Sequence, residues 1–334
     1  MKDALKECIK YLMPFNNPYI CKKCNFGFYS MAFLETREIV KDYHQHRALD
    51  HVSISIPGGS IFGLLGPNGA GKTSLIRIIN QITAPDSGQI IFDGQPLNES
   101  HIRRIGYLPE ERGLYKKMKV GEQLLYLARL KGLTEREAMS KLKVWFEKFD
   151  IKPWWSKTVS DLSKGMQQKI QFVSTILHEP ELIILDEPFS GFDPINANLI
   201  RNEILELKEK GHTLIFSTHR MESVEELCDY IALIHRSRKI LEGPKEQIKM
   251  NFKTHTYRLE YSGELPLEHP IFKVEQISAT KNGRKRSIIS LAEEANANQL
   301  ISVLIDQVEI HSFGENLPTM QEIFIKAVGE VPES

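Results

Sequence analysis

Long hydrophobic runs are missing from this sequence of 334 residues. The longest apolar runs, such as LIIL at 182–185, have the length of one strand, whereas a membrane-spanning helix needs roughly 18 to 20 apolar residues. The N-terminal stretch MKDALKECIKYLM is too charged to supply the apolar region of a signal peptide. We therefore expect a cytoplasmic protein without a membrane span of its own.

An excess of charge of either sign is also missing. Lysine plus arginine total 43, and aspartate plus glutamate total 43. This balance gives no overall attraction to nucleic acid or to anionic lipid, although it does not exclude a local patch. The basic run Arg284 to Arg286 lies beside a hairpin-turn sequence and is typical of a solvated loop tip. The sequence predicts no nucleic-acid partner.

Cysteine is scarce, and its four copies are Cys8, Cys21, Cys24 and Cys228. Cys21 and Cys24 form a single CxxC pair. A zinc site would need two more ligands, such as Cys8 with His44 or His46. The alternative is that these are the reduced thiols of a cytosolic protein.

Residues 1–34 read as an extension that differs from the rest of the chain. The stretch MKDALKECIKYLM has helical apolar spacing that ends at Pro14, and a loop-like aromatic stretch follows. Met31 then precedes the strand-like ETREIV. Either translation starts at Met31, or the extension is an accessory segment that packs on the domain or on a membrane protein.

Strand-like and helical patterns alternate from about residue 35 to residue 245. The strand-like runs are VSISI (52–56), SIFGLLG (60–66), ELIILD (181–186), TLIFST (213–218) and YIALIH (230–235). Such alternation predicts an α/β domain with a largely parallel sheet and helices on both faces. Residues 110–165 show no clear strand and predict an inserted helical subdomain. Residues 250–330 alternate like half-exposed strands, with two helical segments, and predict a small α+β domain.

The strongest motif is GPNGAGKTS, which follows a strand-like run and opens a helical one. It consists of Gly66, Pro67, Asn68, Gly69, Ala70, Gly71, Lys72, Thr73 and Ser74. Its glycines let backbone N–H groups close on phosphate oxygens, and the helix N-terminus adds partial positive charge. Lys72 is expected to reach the β- and γ-phosphates, and the Thr73 hydroxyl is expected to ligate Mg²⁺.

Acidic residues end one buried strand, and a histidine ends another. In LIILDEP, Asp186 can hold Mg²⁺ and Glu187 can act as the general base that polarises an attacking water. In TLIFSTH, His219 could contact the γ-phosphate and position that water. These residue types next to a phosphate loop point to nucleoside triphosphate hydrolysis.

A second anion-binding pattern lies in DLSKGMQQK. The Ser163 hydroxyl and the Gly165 N–H stand at the start of a predicted helix. One nucleotide seldom needs two phosphate sites in the same chain. Two copies arranged head to tail, each closing the nucleotide site of the other, would use both.

These motifs in this order resemble the nucleotide-binding subunit of an ABC transporter over about residues 35 to 245. They are the P-loop GPNGAGKT, the glutamine-loop position YLPE, the signature LSKGM, the Walker B motif LIILDE, the D-loop SGFD and the switch motif STH. The resemblance implies the ABC-type P-loop NTPase fold and an ATPase that uses ATP and Mg²⁺. It further implies that Tyr43 stacks on adenine and that Asp193 links two sites across a dimer interface.

Three features narrow the resemblance to the ATPases of ABC-2-type exporters, especially the sodium-efflux subgroup. They are YLPEERGLY, LSKGMQQK and a C-terminal domain that ends in EIFIKAVG. The resemblance implies a dimer with a second ABC ATPase subunit, expected to be the same chain. It also implies a separately encoded membrane permease at the inner face of the cell membrane and export of sodium ions or a drug-like compound.

Two departures from the family pattern concern the site. Where many members carry glutamine, this chain has Glu110, which we expect to remain an oxygen ligand of Mg²⁺; the alternative is a solvent-facing loop residue. The usual signature LSGGQ reads LSKGM, so Lys164 and Met166 replace glycine and glutamine. Lys164 either adds positive charge near the γ-phosphate of the partner or points to solvent.

Two other functions compete with the transporter interpretation. The first is a soluble ABC ATPase of translation or DNA repair, but such proteins usually carry two cassettes in one chain or long coiled coils. The second is a regulator that binds ATP without hydrolysing it, which Glu187 and His219 oppose.

Overall fold

The computed structural model describes residues 32–44, 46–111, 113–280 and 282–329. No helix within these ranges is both long and apolar enough to cross a membrane. The predictions made for residues 1–31, which include the start at Met31 and the ligands Cys8, Cys21 and Cys24, lie outside the described residues.

Strands and helices are interspersed as far as residue 251, and the chain then continues mainly as strands, with two further helices. The strands are β1 (Ala32–Tyr43), β2 (His46–Pro57), β3 (Ile61–Leu65), β4 (Ser87–Phe92), β5 (Gln95–Pro96), β6 (Ile105–Leu108), β7 (Leu182–Asp186), β8 (Thr213–Thr218), β9 (Tyr230–His235), β10 (Arg238–Pro244), β11 (Thr256–Ser262), β12 (Glu268–His269), β13 (Phe272–Ala279), β14 (Lys285–Leu291) and β15 (Glu309–Glu315). The helices are α1 (Lys72–Ile79), α2 (Val120–Leu130), α3 (Glu135–Lys148), α4 (Lys164–Ile176), α5 (Pro194–Glu209), α6 (Met221–Leu227), α7 (Lys245–Asn251), α8 (Ala297–Ile305) and α9 (Met320–Gly329).

A six-stranded sheet forms the centre, in the order β10-β9-β3-β8-β7-β6. All its neighbouring strands are parallel except β9 and β10, which pair antiparallel. Every residue of β3, β7 and β8 is buried, because these strands have helices or a second sheet on each face. The predicted α/β fold with a largely parallel sheet is confirmed.

The VSISI run does not belong to that sheet. It lies in β2, within a separate antiparallel sheet of order β2-β1-β4-β5. Val52, Ile54 and Ile56 are buried while the residues between them are more exposed, as expected for a strand with one covered face. The second sheet packs its apolar face on α1 and on one side of the central sheet.

Helices α2 and α3 lie between β6 and β7, in the interval where the sequence shows no clear strand. Thr134 begins α3 with a capping box, since its hydroxyl accepts from Glu137 N while the Glu137 carboxylate accepts from Thr134 N. Trp155 covers α2 so closely that a Cβ at Gly121 would lie 2.4 Å from its ring. The bounds of the helical subdomain remain a prediction.

The strands after α7 form a five-stranded antiparallel sheet of order β12-β13-β14-β11-β15. Its core is separate, and Leu259, Tyr261 and Ile289 pack there against Leu300 and Leu304 of α8. The strands and the two helices expected in this part of the sequence are therefore present, whereas the domain limits 35–245 and 250–330 remain predictions.

Helix α9 packs elsewhere. Its buried residues Met320, Ile323 and Ala327 belong to the main core, together with Val224 and Leu227 of α6. The chain thus leaves the central sheet at β10, forms the antiparallel sheet and returns its last described helix to α6.

Candidate nucleotide site

The loop between β3 and α1 depends on glycine at two positions. Gly66 has a φ of 147°, and a Cβ there would lie 2.1 Å from Ile234 O. Gly71 has a φ of 112°, and a Cβ there would lie 2.3 Å from Ala48 O. Both positions therefore exclude other residues on steric grounds, and the loop can wrap tightly around the start of α1.

Lys72 lies inside this loop. Its side chain is nearly buried, and Nζ donates to Gly66 O at 2.7 Å and to Pro67 O at 3.1 Å. Burial lowers the pKa of Lys72, while the negative charges of Glu187 and Asp186 oppose that shift. A buried cation at the base of a ring of backbone N–H groups is a ready site for phosphate.

A cavity of about 320 Å³ opens beside the loop. The predicted site residues that line it are Tyr43, Asn68, Gly69, Gly71, Lys72, Thr73, Ser74, Glu110, Asp186 and Glu187. Gly66, Pro67 and Ala70 are in the same loop but do not line the cavity. The strand ends and the loop therefore bring together residues that are far apart in the sequence.

Asp186 ends β7 with its side chain almost fully buried. Thr73 Oγ1 lies 3.5 Å from Asp186 Oδ2, so the hydroxyl and the carboxylate face each other. Burial raises the pKa of Asp186, and the nearby carboxylates of Glu110 and Glu187 raise it further. A nearby cation would relieve this repulsion.

Glu187 is fixed in a strained conformation. Its φ is 49°, and its N–H donates to Ser217 O at 2.9 Å. One carboxylate oxygen accepts from His219 N at 2.9 Å and lies 2.6 Å from His219 Nδ1. The other accepts from Thr218 Oγ1 at 3.1 Å. The end of β8 therefore sets the orientation of this carboxylate.

His219 does not line the cavity but reaches it through Glu187. More than half of its side chain is exposed, compared with 13% of that of Glu187. The imidazole is therefore free on the side that does not contact Glu187.

Ser163, Gly165 and Asp193 lie away from the cavity of their own chain. Ser163 Oγ accepts from Met166 N at 3.3 Å and caps α4, and Asp193 Oδ1 accepts from two N–H groups at 3.0 Å and caps α5. A Cβ at Gly165 would lie 3.6 Å from Gly191 O, so the signature and the SGFD loop are adjacent. Lys164 is exposed.

The residues around Asp186 fit a magnesium ion. Thr73, Asp186 and Glu110 offer hydroxyl and carboxylate oxygens around one cavity, and Mg²⁺ prefers such oxygens. The described ranges contain no cluster of three or more acidic, histidine or cysteine residues arranged to hold a metal. Mg²⁺ usually takes only one or two carboxylates and completes its shell with water and phosphate oxygens, so this set suffices.

Sequence reasoning missed two residues of the cavity wall, His46 and Ala48. From the sequence, His46 is expected only as an alternative zinc ligand. It pairs with Tyr43 across the turn between β1 and β2, and this hairpin brings both rings to the cavity. Their short separation in the sequence is a signal that could have identified His46.

Comparison with known proteins gives two family matches. The profile of the ABC transporter family matches residues 49–190. The profile of the C-terminal domain of ATP-binding proteins similar to DrrA1-3 matches residues 243–328.

Individual relatives cover more of the chain. YhaQ, an uncharacterized ABC transporter ATP-binding protein of Bacillus subtilis, is 41% identical over 295 residues, which are 88% of this chain and 98% of YhaQ. The ABC transporter ATP-binding protein NatA of the same organism is 36% identical over 66% of this chain and 88% of NatA. A solved ATP-binding subunit of an ABC transporter has a TM-score of 0.62 and 31% identity over 66% of this chain and 93% of that chain. The chain therefore belongs to the ABC transporter ATP-binding proteins and contains the ATP-hydrolysing cassette of that family.

Proposed function

We propose that this chain is the ATP-driven motor of a membrane exporter and works as a dimer with a separately encoded permease. The observation that carries the hydrolytic part of this proposal is the contact of 2.6 Å between Glu187 and His219, beside a cavity that Glu187 shares with the phosphate loop. A carboxylate oriented by a histidine next to a phosphate site is suited to activate water.

ATP is the substrate of the proposed reaction. Tyr43 offers an aromatic face to the adenine, and the loop N–H groups with Lys72 hold the phosphates. Thr73, Asp186 and Glu110 would hold Mg²⁺. When bound, Mg²⁺ neutralises charge on the β- and γ-phosphates.

Glu187 acts as the general base in this proposal. It takes a proton from a water whose oxygen bonds to the γ-phosphorus, while the bond to the β–γ bridging oxygen breaks to give ADP and phosphate. Thr218 and His219 hold both carboxylate oxygens in one orientation. The exposed side of the His219 ring can contact the γ-phosphate.

The proposed dimer is supported by the predicted site residues that do not line the cavity of their own chain. Ser163 and Gly165 are exposed or half-buried at the start of α4, where they can meet the γ-phosphate of a second copy. Asp193 lies close by, at the start of α5, and would contact the partner. Two sites would then close together on ATP and open after hydrolysis.

The permease would receive the closing and opening motion of the dimer at the inner face of the cell membrane. The cargo, sodium ions or a drug-like compound, would pass through the permease. Support comes from the likeness to NatA and from the DrrA-like C-terminal domain. A soluble role in translation or DNA repair is the competing function.

The catalytic part is tested with Glu187→Gln, which keeps the shape of the side chain but removes the base. We expect ATP hydrolysis to fall by about 10²- to 10⁴-fold while ATP affinity stays within a few-fold. Turnover at the wild-type rate would rule out Glu187 as the base.

The role of Glu110 is tested with a pair of variants. Glu110→Ala should slow Mg-ATP hydrolysis, whereas Glu110→Gln should preserve much of it because the amide retains an oxygen donor. Unchanged turnover in the alanine variant would contradict the metal role.

The transporter part is tested by affinity purification of the tagged chain from detergent-solubilised membranes, followed by mass spectrometry. We expect a stoichiometric protein with several membrane spans, and Glu187→Gln with ATP should retain it. Ribosomal or DNA-bound proteins without a membrane partner would favour the soluble function.

A further inference from the structure

Strand β6 occupies one edge of the central sheet, next to β7 alone. Alternate carbonyl groups of an edge strand have no neighbouring strand to bond and need other partners. Here the carbonyls of Ile105 and Tyr107 in β6, and of Pro109 and Glu111 just after it, lie near side chains of α4 or of the residues just beyond it. Ile105 O also accepts from Lys131 Nζ at 2.7 Å.

The donors recur along one face of the helix. His178 Nε2 lies 3.3 Å from Ile105 O, and Thr175 Oγ1 lies 3.3 Å from Tyr107 O and 2.9 Å from Gln171 O of its own helix. Gln171 provides the next donor in this series of contacts between helix side chains and backbone carbonyls. Three to four residues along a helix advance about 4.5 to 6 Å and two residues along a strand advance about 6.6 Å, so the two series stay roughly in step over this short distance.

The helix can lie this close because the strand carries a glycine. A Cβ at Gly106 would lie 2.4 Å from Thr175 O. Helix α4 is therefore packed directly against the backbone of β6.

Gln171 makes the last and most unusual contact. Its amide nitrogen donates to Pro109 O at 3.2 Å and approaches Glu111 O at 3.5 Å, so it bonds the chain on both sides of Glu110. The side chain is 3% exposed. A glutamine amide carries two N–H donors and can serve two carbonyls at once, which a hydroxyl cannot do.

The same helix begins with the signature. Ser163 and Gly165 stand at its N-terminus, and Gln171 lies about 12 Å further along the axis at 1.5 Å per residue. Helix α4 therefore joins residues directed at a second copy to the loop that carries Glu110 into the cavity of its own chain.

We propose that Gln171 is a positioning residue that orients Glu110 toward the metal and couples this orientation to the signature helix. This inference rests on the metal role of Glu110 proposed above. It adds a route by which contact of a second copy with Ser163 changes metal binding in the chain that carries this serine.

The test is ATP binding by calorimetry in the Glu187→Gln background, with Mg²⁺ and with EDTA, so that no turnover occurs. Gln171→Met keeps the volume but removes both donors. We expect the gain in ATP affinity on adding Mg²⁺ to fall by about tenfold, as for other residues that orient metal ligands, while affinity in EDTA stays within about twofold.

Thr175→Val is the matched control, because it removes the hydroxyl contacts to Tyr107 O and Gln171 O but leaves the amide contacts around Glu110 in place. It should leave the Mg²⁺-dependent gain unchanged. An equal loss in Thr175→Val and Gln171→Met would show a general loosening of α4 and overturn the positioning role.

The double variant separates this inference from the proposal on Glu110. If Gln171 acts through Glu110, Gln171→Met should have no further effect on the gain once Glu110→Ala is present. Additive losses would overturn the inference while leaving Glu110 as a ligand. An unchanged gain in Glu110→Ala alone would instead overturn the metal role of Glu110, and this inference with it.

Discussion

The central sheet and the C-terminal sheet bury their strands in different ways. In β3, β7 and β8 every side chain is buried, whereas in β11 buried Tyr257, Leu259 and Tyr261 alternate with more exposed residues. A strand covered on both faces has only its ends available for chemistry. The site residues Asp186, Glu187, Thr218 and His219 come from the ends of β7 and β8.

Helix α9 connects the two regions. It follows the C-terminal sheet in the sequence, yet its apolar face belongs to the main core, together with α6. Met320 N also donates to Glu225 Oε1 of α6 at 2.6 Å, and Lys249 of α7 pairs with the same carboxylate at 2.8 Å. The two sheets have separate cores, but the main core is completed by a helix from beyond the second sheet.

The largest expected effect comes from changing a buried phenylalanine to alanine in each of the two cores and comparing the results. Phe216 and Phe272 are both almost fully buried, one in β8 and the other in β13. Each change to alanine should lower the free energy of unfolding of its own region by about 3 to 5 kcal/mol. Only Phe216→Ala should weaken ATP binding, because β8 carries the residues that hold Glu187.

Urea unfolding and nucleotide binding measure both effects. An equal loss of ATP affinity in Phe272→Ala would show that the two cores are a single cooperative unit.

A somewhat smaller effect is expected at α9. Ile323→Ala should destabilise the ATPase core by about 2 to 4 kcal/mol, because this side chain is 1% exposed among residues of α6 and the central core. Ile325→Ala on the same helix is the control; this side chain is 62% exposed and should change stability by less than about 0.5 kcal/mol. Thermal unfolding, measured with and without bound nucleotide, would give the change in stability of each variant. Equal changes in the two variants would contradict this packing of α9.

Cys228 reports on opening of the main core alone. Burial raises the pKa of its thiol to about 12, so the group stays protonated well above neutral pH and reacts only when the core opens. In a chain with Cys8, Cys21 and Cys24 changed to serine, we expect a disulfide reagent at pH 8 to react about 10³-fold more slowly than with unfolded protein. Leu259→Ala in the C-terminal sheet should leave this rate unchanged, and a faster rate would show coupled opening.

The smallest expected effect concerns an ion pair between α3 and α5. Lys148 contacts Glu206 at 2.6 Å, and this contact, with that of Lys210, lowers the pKa of Glu206 to about 2. Because the folded pKa lies below the ordinary value of 4.5, the stabilisation is complete above about pH 4.5 and is lost as the pH falls toward 2.

Glu206→Gln should therefore lower stability by less than about 1 kcal/mol at pH 7 and leave it unchanged near pH 2. Glu209→Gln on the same helix is the control. A difference between Glu206→Gln and wild type that persists to pH 2 would mean that charge is not the cause.

The phosphate loop and the strand-end acids could be predicted because each is specified over a few consecutive residues. A glycine-rich loop after an apolar strand has one usual geometry, and Lys72, Thr73, Asp186 and Glu187 accordingly share a cavity. The parallel sheet followed from uniformly apolar runs. In each case the local sequence carried the information.

Features that depend on register and on distant packing could not be predicted. The VSISI run alternates and fits a half-covered strand, but the sheet that it joins is set by the pairing of its hairpin partner β1 with β4, over a long sequence separation. The apolar face of α9 predicts burial without indicating which core receives it. From the sequence alone, Gln171 is only a polar position in a predicted helix. Its contact with the chain beyond β6 depends on the packing of β6 beside that helix.

The return of α9 to the main core sets an order for biosynthesis. The surface of α6 that receives Met320, Ile323 and Ala327 leaves the ribosome long before α9 does, since the whole C-terminal sheet is translated in between. This apolar surface then faces water during that interval and is a binding site for chaperones. A ribosome stalled within the C-terminal sheet would therefore carry a main core that still lacks its last described helix.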